Sequence, residues 1–245
     1  KEYTKAMLKY AIELEKESNI TEAVKYYKKA ADKGDINAIF NYANLLDVGQ
    51  GIEVDKKEAA KYYKMAADKG HTNAMHNYAN LLNGCDGIEV DRKEAAKYYK
   101  LAADKGHVIS MFNYAIMLSK GKGIEVDKKE AAKYYKMAAD KGDEDAMINL
   151  GNMLICGDGI EVDKKEALRL FKTAADKNQI QAMYNYALML DNGDGIEVDK
   201  KEAAKYYKMA ADKGDANAMN NLGNMLNCGD GIEVDKKEAL RLFKT

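Results

Sequence analysis

The sequence predicts an all-α chain, an α-solenoid of about seven antiparallel helix pairs with the last pair truncated. Three observations carry that reading. The segment GIEVD begins at Gly51, Gly87, Gly123, Gly159, Gly195 and Gly231, always 36 residues apart, and self-similarity at such a period marks stacked supersecondary units. Proline and tryptophan are absent from the 245 residues while Lys, Glu, Ala, Tyr, Met and Asn abound, so little interrupts helix. Between the GIEVD segments apolar residues recur near i, i+4 and i+7, the spacing of one helix face.

The array divides into units 1–36, 37–72, 73–108, 109–144, 145–180, 181–216 and 217–245, read together as a single domain. In the second unit Ala38, Tyr42, Ala43, Leu45 and Leu46 form one face of a first helix, with Asp35 as N-cap after Gly34 closes the preceding helix. The stretch VGQGI reverses the chain, its glycines Gly49 and Gly51 free to take left-handed turn conformations. Asp55 and Glu58 match a capping box, which starts a second helix at about Lys56. That helix buries Ala59, Tyr63, Ala66 and Ala67 and ends at Gly70. Ile52 and Val54 are expected to plug the gap between adjacent units, and the pair Tyr62-Tyr63 to be inter-helix core with one hydroxyl reaching water.

The first unit departs from this pattern. Ala6, Tyr10, Ala11 and Leu14 match Ala38, Tyr42, Ala43 and Leu46, but Glu15 to Thr21 replaces the glycine loop, as a shorter connection or an N-terminal capping unit would. The last unit stops at Thr245 before the AADKG that follows elsewhere, which points to a fragment of a longer protein and to possible end-to-end self-association.

A formal net charge of −1 supplies no basic stripe for nucleic acid. No apolar run nears the ~18 residues of a membrane span, so no membrane partner is expected for this segment. Three cysteines, Cys85, Cys156 and Cys228, make neither a disulfide framework nor a four-ligand zinc site. Free thiols favour a reducing compartment, and on that ground alone the localisation is cytoplasmic; Cys156 and Cys228 are expected to pack at helix ends where a small residue fits.

The order of residues resembles the Sel1-like repeat, a relative of the tetratricopeptide repeat. Ala38, Tyr42, Ala43, Leu46, Gly49, Gly51, Asp55, Ala59, Tyr62, Tyr63, Ala66, Ala67, Gly70 and Ala74 stand at the positions of its pattern, and Leu150-Gly151 and Leu222-Gly223 restore its LG pair. The resemblance covers essentially the whole chain. It implies helix pairs stacked into a right-handed superhelix whose first helices line a concave groove, and a role as an adaptor in protein complexes. Some relatives carry a disulfide in each repeat; its absence here favours intracellular members.

Variation gathers on the first helix, whereas GIEVDKKEAAKYYKMAADKG recurs with few changes. One position reads Phe40, His76, Phe112, Ile148, Tyr184 and Asn220. The position four later reads Asn44, Asn80, Ile116, Asn152, Leu188 and Asn224. Both share one helix face, which the resemblance turns toward the groove. Exposed lysines of the second helix, such as Lys56, Lys61 and Lys64, scarcely vary, which argues against mere drift of exposed positions. Beside the varying face Asn41, Asn77, Asn113, Asn149, Asn185 and Asn221 recur, able to clamp the backbone amides of an extended peptide or to bond a neighbouring repeat's backbone. Phe112, Ile116, Ile148, Ile155, Tyr184 and Leu188 would give a mostly apolar exposed floor over units four to six.

Nothing in the repeat sets a nucleophile beside an orienting group, so an enzyme is not expected, nor a cofactor. His71 and His107 take the helix-capping place of Asp35 and Asp143, and His71 and His76 lack a carboxylate at zinc-like spacing. The DGIEVD segments at Asp86, Asp158, Asp194 and Asp230 lack the alternating oxygen ladder of a calcium loop, and Asp91 and its equivalents read as caps. The expected function is a protein-interaction scaffold binding an extended partner segment. The alternatives are a regulatory arm of a larger enzyme such as a kinase, or a structural spacer.

Overall fold

The computed structural model describes residues 2–84, 87–193 and 195–244. Among them the backbone forms fourteen α-helices and no strand. Cys85, Asp86 and Asp194 lie outside the described residues. The chain divides into two compact units, 1–126 and 127–245. The first holds α1 (Glu2–Lys16), α2 (Ile20–Asp32), α3 (Ile36–Val48), α4 (Lys56–Asp68), α5 (Thr72–Gly84), α6 (Arg92–Asp104) and α7 (Val108–Lys120). The second holds α8 (Lys128–Ala139), α9 (Glu144–Cys156), α10 (Lys164–Asp176), α11 (Ile180–Asn192), α12 (Lys200–Ala211), α13 (Ala216–Cys228) and α14 (Lys236–Leu242). Within each unit every helix packs against the next along the chain.

The helix ends follow the predicted chemistry. Asp35 accepts the Ala38 N–H at 3.0 Å, and Asp55 and Asp91 accept those of Glu58 and Glu94 at 2.9 Å, satisfying donors that a helix leaves unpaired. Gly49 closes α3 in the left-handed conformation at φ 74°. Gly51 is required twice over: its φ is 71°, and a Cβ there would lie 2.6 Å from Ile20 Cγ2 of α2. Each loop thus lies on the start of the preceding second helix, as Gly159 does on Lys128. The short α1–α2 connection instead places Ser18 at φ 62°.

Helices α3 and α4 run antiparallel. Lys56 pairs with Asp47 beside the loop, and further along Tyr62 meets Tyr42 edge to face at 4.8 Å. Ala59, Tyr62, Tyr63, Ala66 and Ala67 are buried, so the second helix supplies alanines for close approach and tyrosines for area. The loop valines do not plug the gap: Val54 is 51% exposed, and Val90, Val126, Val162, Val198 and Val234 are similarly open, while Ile52 is half-buried. Val54 is displaced because its methyl covers Gly49, where a Cβ would meet it at 2.4 Å.

Consecutive repeats are joined through second-helix polar groups. Tyr98 Oη donates to Asp68 at 2.5 Å and accepts from Lys64 at 2.8 Å, and Lys64 lies over the rings of Tyr78 and Tyr98. Tyr206, Asp176 and Lys172 repeat the arrangement in the second unit. The near-constancy of Lys64 therefore has a packing cause. Lys57, exposed and lysine again at 93, 129, 165, 201 and 237, is constant without such a contact among the described residues, and Lys61, paired with Glu58 on its own helix, gives way to Arg169 and Arg241. Tyr99 Oη donates to Asn80, so both hydroxyls of the Tyr98-Tyr99 pair have side-chain partners where one was expected to reach water.

Candidate functional site

The varying positions of the first helices are more enclosed than the sequence suggested. Phe40 is half-buried and stacks on the His71 ring at 4.3 Å, Tyr184 is half-buried 6.0 Å from the Tyr207 ring, and Phe112 is half-buried. Ile148 is buried at 8% exposure, so it belongs to the core and not to an exposed floor. Asn220 is exposed. At the second varying position Asn80, Asn152 and Asn224 are exposed, whereas Asn44, Ile116 and Leu188 are half-buried.

The recurring asparagines are turned largely into the stack. Asn77 Nδ2 donates to Asn44 Oδ1 at 3.2 Å, Asn185 Nδ2 to Asn152 Oδ1 at 3.4 Å, and Asn221 Nδ2 to Tyr207 Oη at 3.0 Å. Asn149 donates to the Asp145 carbonyl of its own helix at 2.8 Å. These bonds to a neighbouring repeat go to side chains and not, as expected, to backbone. Sequence spacing missed this because the partners lie in an earlier helix: Asn44 and Asn152 on the preceding first helix, and Tyr207 on the second helix before Asn221. Burial holds Tyr27, Tyr63, Tyr99 and Tyr207 above the usual phenol range, which keeps each O–H a donor.

In the second unit Leu188, Asn221 and Asn224 come together in a cleft of about 340 Å³ between α11, α13 and the start of α12. Lys200 crosses it, paired with Asp191 at 2.7 Å and with Asp230 at 2.9 Å, and its pKa is raised by the hydrogen bonds to both. Asp158 likewise takes Lys128 at 2.7 Å, so the described aspartates of the DGIEVD loops are partners of lysine. Cys228 also lines the cleft, and both Cys156 and Cys228 are exposed free thiols where packing was expected.

Other clefts open beside the second helices, and the sequence reading did not single them out. One of about 490 Å³ is floored by Ala204, Leu222, Leu226 and Ile232 under Lys201 and Lys205, and one of about 460 Å³ by Ala96, Tyr114 and Ile124 under Lys93 and Lys97. The recurring isoleucine of GIEVD, 36 residues from its next copy, was the available signal. His71 and His107 accept the N–H of Ala74 and Ser110 at 3.2 Å, the capping role expected of them. Among the described residues no three His, Cys, Asp or Glu side chains group as metal ligands would, and no helix is long and apolar enough to cross a membrane.

The Sel1 repeat model matches residues 5–35, 36–71, 72–107, 108–143, 144–179, 180–215 and 216–245. The chain belongs to the Sel1 repeat family. This Sel1 repeat chain is similar to c5321, a protective antigen of uropathogenic Escherichia coli displaying an SLR fold, with a TM-score of 0.94 and 26% identity over 99% of this chain and 53% of that one. It thus spans about half the length of that relative. It is also similar to a Sel1 repeat protein from Oxalobacter formigenes, at a TM-score of 0.78 and 26% identity, over 97% of this chain and 95% of that one. No curated protein matches it. Sel1 repeat chains are in general protein-interaction scaffolds, and the fold is typically non-catalytic.

Proposed function

We propose that this Sel1 repeat chain binds an extended segment of a protein partner across the varying face of its first helices. The observation that carries the reading is the cleft in the second unit, where Leu188, Asn221 and Asn224 from two successive first helices meet around the Lys200 ion pairs. A half-buried leucine beside amides with spare hydrogen-bonding capacity suits an apolar anchor flanked by peptide groups. The binding role attaches to the exposed positions Asn80, Asn152, Asn220 and Asn224 and to the half-buried Asn44, Phe112, Ile116, Tyr184 and Leu188. Ile148, Asn77, Asn149 and Asn185 support the frame, and Asn221 does both, holding Tyr207 while it lines the cleft.

The test is site-specific photo-crosslinking in cells, with the reactive group at Asn224 or Asn152 and, as control, at Lys205 on the second helix. Partners captured from 224 and 152 but not from 205 support the reading. Capture from 205 alone would move the binding surface to the second-helix clefts and overturn it.

A further inference from the structure

One repeat seam carries a side-chain hydrogen-bond chain that the sequence of the other seams does not permit. Ser110 stands where Ala38, Ala74, Ala146, Ala182 and Ala218 stand in other repeats, and it is fully buried. His107 Nδ1 accepts the Ser110 backbone N–H at 3.2 Å, so that nitrogen carries no proton. Ser110 Oγ lies 3.0 Å from His107 Nδ1 and 2.9 Å from His76 Nδ1. Asn80 Nδ2 donates to His76 Nε2 at 3.0 Å, so His76 bears its proton on Nδ1 and gives it to Ser110 Oγ, whose own proton is left for the His107 side. Asn80 Oδ1 accepts the Tyr99 hydroxyl proton. Tyr99, Asn80, His76, Ser110 and His107 thus donate in one direction, and each tautomer is fixed by the next partner.

A proton added to His76 reverses the links on both sides of Asn80, because the turned amide gives Oδ1 to His76 and Nδ2 to the Tyr99 hydroxyl oxygen. Nε2–H would face the Asn80 amide N–H, donor against donor, and the conflict is relieved by a half-turn of the Asn80 amide that offers Oδ1 to His76. The titratable groups facing His76 are Tyr99 of α6 and His107 at the start of α7, with ring centroids 5.8 and 4.6 Å away; its own helix contributes the neutral Asn80. Burial, and then the charge of His107, pull His76 down to about 4, with no carboxylate acting against them. Burial lifts Tyr99 to about 12, so it keeps its proton throughout. Asn80 is exposed on the varying face.

We propose that His76, Ser110 and His107 form a proton-operated latch that sets the orientation of the Asn80 amide. It thereby sets the donor and acceptor pattern that the first unit offers a bound segment. The part concerning a bound segment rests on the function proposed above; the latch itself does not. Acidification turns the amide over, and neutral pH restores it.

The latch is tested on the whole chain by nitrogen-15 imidazole and side-chain amide spectra, titrated from about pH 7.5 to about 3.5. The expected result is the Nδ1–H tautomer for His76, the Nε2–H tautomer for His107, and an Asn80 amide shift that follows His76 protonation. Ser110→Ala, which restores the alanine of the other repeats, takes the acceptor from His76 Nδ1–H while burial and His107 remain, so it should lower the His76 midpoint further and release its tautomer. An Nε2–H tautomer for His76 at neutral pH, or an Asn80 signal indifferent to His76, overturns the latch. Photo-crosslinking from the exposed position 73, one turn before His76 on the same helix face and with Asn80 kept, reads the partner separately at neutral and acid pH. Capture that never depends on pH, with the spectra as expected, leaves the latch standing and removes its link to binding.

Discussion

Gly151 faces the ring of Phe171 so closely that a Cβ at 151 would lie 2.7 Å from Phe171 Cε1, and Gly223 stands in the same relation to Phe243. Where other repeats place tyrosine at this point they place alanine opposite, as Ala43 and Tyr63 do. The tyrosine ring is tethered outward by its hydroxyl, Tyr63 to Asn44 at 2.6 Å. Phenylalanine has no tether, its ring settles against the first helix, and glycine leaves the room. Ile155 completes the exchange, standing where Asp47 accepts from Tyr63.

Gly151→Ala is therefore expected to destabilise the second unit by about 1–3 kcal/mol, the range for overpacking a filled core. Urea unfolding of Gly151→Ala, Phe171→Leu and the double variant closes a cycle. The double variant should recover part of the first loss, because the smaller side chain relieves the clash. Simple additivity would show that the ring is not pressed against position 151.

Tyr98→Phe removes a donor from Asp68 and an acceptor from Lys64, which keep each other at 3.1 Å. The expected cost is about 0.5–1.5 kcal/mol, that of one hydrogen bond, read as a lower urea midpoint. An unchanged midpoint would mean that the cation over the rings, and not the hydroxyl, joins the repeats.

Asp35→Ala and Asp91→Ala each strip the acceptor from a helix N-terminus. Each should cost about 1 kcal/mol, while Asp35→Asn, which retains an accepting oxygen, should cost less. Thermal unfolding of the three variants checks the order.

Stability should fall on mild acidification. Burial lowers the pKa of His71, His76 and His107 in the folded chain, so the unfolded chain, near 6.5, takes up protons first as pH drops. The stabilisation from neutral imidazoles is whole above about 6.5 and is lost as pH falls toward about 4 for His76. Asp176, held low by the Tyr206 hydroxyl and Lys172, surrenders its contribution only at more acid pH. His76→Asn should flatten the decline in urea midpoint between about pH 6.5 and 4; an equally steep decline would assign the effect to other groups.

The helices and their ends were legible in the sequence because each depends on residues close along the chain. Asp55 caps a helix three residues away, and Gly49 turns one that has just finished. The side-chain bonds between repeats were not legible. Asn77 reaches Asn44, 33 residues back, and Lys64 reaches Tyr98, 34 residues on; no local period reports such pairings. Burial of Ile148 escaped for a related reason: helical spacing places residues on one face but does not say how far the adjacent helix covers it. The LG pair was read as a family feature, and its dependence on Phe171 emerged only from the packing.

The Gly151–Phe171 pairing lies wholly inside one repeat, whereas the Lys172–Tyr206 contact crosses from one repeat to the next. A gene built of near-identical 36-residue segments is prone to unequal crossing-over, and these two kinds of contact respond to it differently. Excision of residues 181–216 would carry the Gly–Phe pairs along intact and set Leu242 where Tyr206 had met Lys172. The polar junction and the Tyr186–Tyr206 ring pair would give way to Leu222 and Leu242, a loss confined to one seam. The second unit can therefore shorten by a whole repeat at a local cost, and length becomes a heritable variable on which selection can act.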